Sequence, residues 1–140
     1  MARVGKFLHY SDVSGSQTVT TSFSTAVRHD HVLSWGGATD SSRFFGVVNG
    51  VEVLLTGAGT PTKVTIRVTK DAAGDVAIVP DVEATLVGGV TTAATKSAVY
   101  RVDLPIRQDL ASSGNKTLYL FAKVDAGTAT FAGSQIVWQE

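Results

Sequence analysis

The chain has 140 residues, enough for one domain with a buried core, and 12 basic against 12 acidic residues give a formal net charge of zero. With no global field to hold a polyanion, direct nucleic-acid binding is not expected, and the absence of Cys excludes a disulfide framework, a thiolate nucleophile and any Cys-ligated metal. Hydrophobic residues make up 44% and charged residues 17%, so the chain is not disordered and its surface must be Ser, Thr and Gly, which suits close contact with neighbours.

The opening run from Met1 to Tyr10 has two basic residues, but Gly5, Lys6 and His9 break the apolar stretch that an export signal needs. The most apolar segment, Phe44 to Leu55, is interrupted by Asn49, Gly50 and Glu52, so no membrane association is expected either. The reading is a soluble protein made in a cytoplasm.

Val and Thr dominate, and their branched side chains favour pleated strands. Strands are predicted at Val4 to His9, Thr18 to Phe23, His31 to Ser34, Arg43 to Val48, Val51 to Thr56 and Lys63 to Lys70. They continue at Val76 to Val79, Glu83 to Leu86, Val99 to Leu104, Thr117 to Val124 and Thr128 to Trp138. In Lys63 to Lys70, Val64, Ile66 and Val68 fall on one face, with Thr65, Arg67 and Thr69 on the other. Thr117 to Val124 is apolar on both faces, so Tyr119 and Phe121 should meet a neighbouring element or subunit. The polar lead-in from Ser11 to Thr21 has few anchors and is expected to order only against a partner.

Asn49-Gly50, between two apolar runs, predicts a type I′ hairpin turn. Asp71 to Asp75, Ser112 to Asn115 and Asp125 to Gly127 are further turns. Pro61, Pro80 and Pro105 lie at ends of apolar runs and are expected to mark strand boundaries. Only Ser22 to Arg28 and Ile106 to Ala111 have room for a helix, and both are short. The fold class that follows is all-β: an antiparallel β-sandwich, a jelly roll in its leading form, with an extended N-terminal segment. Residues 1–21 are assigned to an N-terminal arm and first strand, and 22–140 to a single sandwich domain.

His29-Asp30-His31 is the most ligand-like cluster, because an extended segment puts both imidazoles on one face. Two ligands do not complete a zinc site, and an exposed polar strand end is the simpler reading. Asp71, Asp75, Asp81 and Glu83 offer oxygen ligands to calcium, although Asp capping its own turn accounts for the first two without an ion. Gly57-Ala58-Gly59 is followed by Thr62 and lacks a helix context, so it is no dinucleotide fingerprint. No catalytic, cofactor or metal residues are assigned, and the few titratable groups make a small hydrolase the least favoured class.

Several segments resemble small virion structural proteins of tailed bacteriophages and cyanophages. They are Lys63 to Asp75, Ile78 to Leu86, Gly88 to Lys96, Val99 to Ile106 and Lys116 to Thr130, with Val137-Trp138. The similarity spans roughly half of the chain and consists of strand and turn patterns rather than a catalytic signature. It implies a jelly-roll capsid decoration or cement protein, a homo-oligomer and typically a trimer, that clamps major capsid protein subunits. The location it implies is the outer surface of the capsid. Phe7, His9, Tyr10, Trp35, Tyr119, Phe121 and Trp138 are the residues expected at interfaces, as aromatic or amphipathic anchors. The rival reading is a tail-associated, receptor-binding jelly roll that stacks host glycans on Trp35, Tyr10 or Tyr119.

Overall fold

A computed structural model describes residues 8–34, 45–78, 80–88, 95–107 and 115–139, with side chains described for 17–32, 50–78, 80–88, 95–98 and 117–136. Nine strands are described: β1 (Leu8–Val19), β2 (Arg28–Ser34), β3 (Phe45–Thr56), β4 (Lys63–Thr69), β5 (Val82–Thr85), β6 (Val87–Gly88), β7 (Lys96–Arg107), β8 (Asn115–Val124) and β9 (Ala129–Gln139). They form two antiparallel sheets, β1-β9-β3-β7-β6 and β2-β8-β4-β5.

The pairing is nested. β1 pairs with β9, β2 with β8, β3 with β7 and β4 with β5. Successive pairs fall alternately in the five-stranded and the four-stranded sheet. The chain is thus one long antiparallel hairpin rolled up on itself, and the lateral contacts β9·β3 and β8·β4 join the turns of the roll. This strand order is a jelly roll.

Alternation builds the core. Val51, Val53 and Leu55 of β3 face Val64, Ile66 and Val68 of β4 and Leu118 and Leu120 of β8, all buried between the sheets. Val64, Ile66 and Val68 fall on one face, as their spacing dictates. Phe131 and Ile136 of β9 complete the layer. Each such side chain contributes roughly 1.5–3 kcal/mol on leaving water.

Several local expectations are overturned. Asn49-Gly50 is not a hairpin turn: β3 runs through it, with a register shift between Val48 and Gly50 against both β7 and β9. A central strand bonded along both edges outweighs a local turn preference, and the dipeptide is absorbed as a bulge. One strand, β1, runs from the last residues of the predicted strand Val4 to His9 through the polar lead-in to the first residues of the predicted strand Thr18 to Phe23, and its partner is β9; Val4 to Phe7 lie outside the described residues. The polar lead-in therefore orders against this chain's own C-terminal strand, anchored by the buried Val19.

Pro105 lies within β7, opposite Val47, rather than at a boundary. It is accommodated because β6 reaches only Lys96 and Ser97, leaving that side of β7 without a ladder partner among the described residues. Val76 to Val79 forms no strand; only an isolated bridge between Thr69 and Ala77 is present, and Val79 lies outside the described residues. Ser22 to Arg28 is a turn that leads into β2, and the first two residues of the other helix window, Ile106 and Arg107, end β7. The remainder of that window, and the turn residues Ser112 to Gly114, lie outside the described residues.

Candidate functional site

Of the seven residues expected at interfaces, the five that are described fall on two different sheets. Phe7 and Trp35 lie outside the described residues. His9 and Tyr10 on β1 stand opposite Trp138 and Val137 on β9, so the register brings His9 and Trp138 together at one end of the five-stranded sheet. Tyr119 and Phe121 belong to β8 of the other sheet, on its outer face.

That outer face is already clad. Phe121 is 2% exposed, although it is on the side of β8 away from the core. Its ring lies against the 71–75 turn, so close that a Cβ on Gly74 would meet it at 3.0 Å. Gly74 adopts φ 80°, a backbone state that also favours glycine. The turn is held by Asp71, whose carboxylate accepts from the backbone N–H of Asp75 (3.0 Å) and Val76 (2.8 Å). Those donors hold the Asp71 carboxyl below its usual range.

Arg28 covers Tyr119, its guanidinium carbon 5.6 Å from the ring centroid, and pairs with Asp30 at 2.8 Å. Farther along, Arg67 (4.2 Å) and Lys123 (4.9 Å) sit over the ring of Phe23. Arg67 also binds Asp81 through two hydrogen bonds of 2.9 and 2.8 Å, which hold the Asp81 carboxyl down.

The four carboxylates considered for calcium are thus not gathered. Asp71 caps its turn, Asp81 is held by Arg67, and Glu83 pairs with Lys63 at 3.2 Å. Among the described residues no three His, Asp or Glu side chains form a group that could hold a metal ion.

The other ligand-like cluster is the largest departure from expectation. His29 and His31 do share a face, but it is the inner one: they are 2% and 0% exposed, so the exposed strand end is ruled out. Their partner is the buried Ser134 on β9 of the opposite sheet, whose hydroxyl lies 2.7 Å from His29 Nδ1 and 2.7 Å from His31 Nε2. One O–H donates once and accepts from the other side, so a single hydroxyl can link the two imidazoles across the sandwich. His29 stacks on Phe131 with centroids 3.8 Å apart. Burial pushes its pKa down, with the Phe131 backbone and Asp30 acting in the opposite direction. Sequence reasoning missed Ser134. The signal was there: counting back by two from the inward Ile136 lands on a polar residue that needs an interior partner.

At the turn between β8 and β9, Asp125 accepts from the N–H of Thr62 (2.9 Å) and Lys63 (3.1 Å) and from the Thr62 hydroxyl (2.6 Å). Its pKa falls to about 2.

The outer face of the five-stranded sheet has no such cladding at its described centre. Glu52 and Leu54 are exposed, Leu54 at 39%. Beside them Gly133 floors a depression of about 150 Å³ bounded by Glu52, Leu54 and Gln135.

No protein-family model and no curated protein matches this chain. Solved structures similar to it include the infectious bursal disease virus VP2 subviral particle, at 11% identity and TM-score 0.41, covering 95% of this chain and 32% of that one. A carbohydrate-binding module from the family 9 glycoside hydrolase Cel9A of Ruminococcus flavefaciens has 10% identity and TM-score 0.44, covering 94% and 98%. The Tobacco streak virus coat protein has 7% identity and TM-score 0.34, covering 95% and 86%. The chain spans about a third of the length of the bursal disease virus protein. Likenesses this distant carry no functional argument.

Proposed function

We propose that the protein is a phage virion structural protein that decorates and cements the capsid shell by bridging major capsid protein subunits on its outer surface. The observation that carries this reading is β1. It is a 12-residue strand at the edge of the five-stranded sheet, bonded to β9 on one side, and it leads directly from the N-terminal segment. An edge of this length is a template onto which another chain can add a strand. Its sequence, Leu8 to Val19, contains no Lys, Arg or Pro; Asp12 is its one acidic residue, and its register shift lies between Ser14 and Gln17, which leaves the run Leu8 to Ser14 in regular pairing.

Many modest contacts of this kind, repeated around a shell, become practically permanent through multivalency. The low overall charge supports the same reading, because few ions need to be desolvated on docking. The test is copy number and location. Stained gels of purified particles are expected to show the protein at hundreds of copies, and cryo-electron microscopy to show β1 against the major capsid protein. A few copies at a tail tip, or no association with particles, would refute the proposal.

A further inference from the structure

We infer that the outer face of the five-stranded sheet is the seat of a second copy of this chain, the two copies packing sheet to sheet about a two-fold axis that runs between β3 and β9. The inference goes beyond the capsid reading and does not depend on it.

The register supplies the argument. On this face Leu54 of β3 is the cross-strand neighbour of Gly133 on β9, Glu52 of Gln135, and Thr56 of Thr130. A two-fold axis parallel to the strands, midway between β3 and β9, lays β3 of each copy over β9 of the other. Each residue then faces its own cross-strand neighbour in the second copy. Leu54, the exposed apolar knob, enters the depression of about 150 Å³ above Gly133. The Glu52 carboxylate meets the Gln135 amide, which can donate to it, and is kept away from its own symmetry mate. The Thr56 and Thr130 hydroxyls face each other. A knob beside a hole on one surface is self-complementary only under two-fold symmetry.

The surroundings fit the same occupant. The row that crosses the sheet through Leu54 reads Ser14, Gly133, Leu54, Ser97, Val87, without a charged residue. Val87 is 65% exposed. Four long strands at their usual spacing present about 600 Å² per copy, so the pair buries about 1,200 Å², the lower bound for a stable specific interface. The four-stranded sheet also carries a depression of about 150 Å³ beside Phe121, but the 71–75 turn, Phe23 and Arg67 wall it, and Arg28 lies over Tyr119, so its outer face around β8 is covered by its own chain.

The experiment is sedimentation equilibrium of the full chain, with circular dichroism to confirm that each variant is folded. The wild type is expected to be a dimer. Leu54→Lys is expected to be monomeric at the same concentration. Gln135→Glu, which sets two carboxylates face to face twice across the axis, should weaken association at least tenfold, and Gln135→Lys should tighten it. Val32→Lys, at an exposed apolar residue of the other sheet, should leave the dimer unchanged. A wild-type monomer or trimer, a dimer that persists in Leu54→Lys, or one disrupted by Val32→Lys would overturn the inference. Particle occupancy, measured separately, reports on the capsid reading alone.

Discussion

The two outer faces of this sandwich solve opposite problems with similar strands. On the four-stranded sheet, Phe121 points away from the core yet is as buried as a core residue, because the 71–75 turn folds over it and Arg28 covers Tyr119 beside it. On the five-stranded sheet, Leu54 occupies a comparable outward position and remains exposed next to a bare glycine. An outward aromatic or aliphatic side chain is therefore ambiguous by itself. What decides its role is whether the same chain supplies a cover.

This contrast is sharpest in stability measurements. Phe121→Ala should behave as a core truncation and cost about 3–5 kcal/mol in urea unfolding. A loss below about 1 kcal/mol would mean that the turn does not cover the ring in solution.

Between the two faces lies the inter-sheet hydroxyl. Ser134→Ala is expected to cost about 1–3 kcal/mol, since it strips both imidazoles of a shared partner in the interior. The same cluster sets a pH dependence. His29 takes up a proton near its ordinary 6.5 when unfolded but only at lower pH when folded. Its contribution is therefore complete above pH 6.5 and is lost as the pH falls through that value toward the folded one. Urea midpoints measured across this range should decline, and His29→Asn should flatten the decline. The Asp125 contribution disappears later, between the ordinary carboxylate value of 3.8 and its folded value of about 2.

Gly74→Ala is a smaller lesion of the cover itself. It combines an unfavourable positive φ with a Cβ 3.0 Å from Phe121, for an expected loss of about 1–2 kcal/mol. Leu54→Ala closes the series at about 0.5 kcal/mol or less in the isolated monomer, as befits an exposed position.

Much of the fold was legible because β-sheets write their inner face at every second residue. Val64, Ile66 and Val68 were readable that way, as was the two-sided character of Thr117 to Val124. Asn49-Gly50 misled because a local turn signal carries no information about how many strands flank it, and β3 has two. The histidine pair was placed correctly on one face but assigned to solvent, since burial depends on what stands opposite. Its partner, Ser134, lies more than a hundred residues away along the chain. The cladding of Phe121 was foreseen only as a need for some neighbour. Which neighbour came from a glycine turn, and the sequence around that turn does not name its target.

The nested pairing also constrains the order of events when the chain folds. The innermost hairpin, β4 with β5, closes a short loop, whereas β1 must find β9 across almost the entire chain, with Leu8 opposite Gln139. The loop-closure cost of each outer pair falls once the inner ones exist, so the roll should wind outward from its middle. Such a topology places the protein among the slow folders, on the scale of about milliseconds to seconds. Until the last turn is wound, the edge of β9 that β1 occupies stays open, so β1 of a neighbouring copy, with the same sequence, is the expected competitor for that edge.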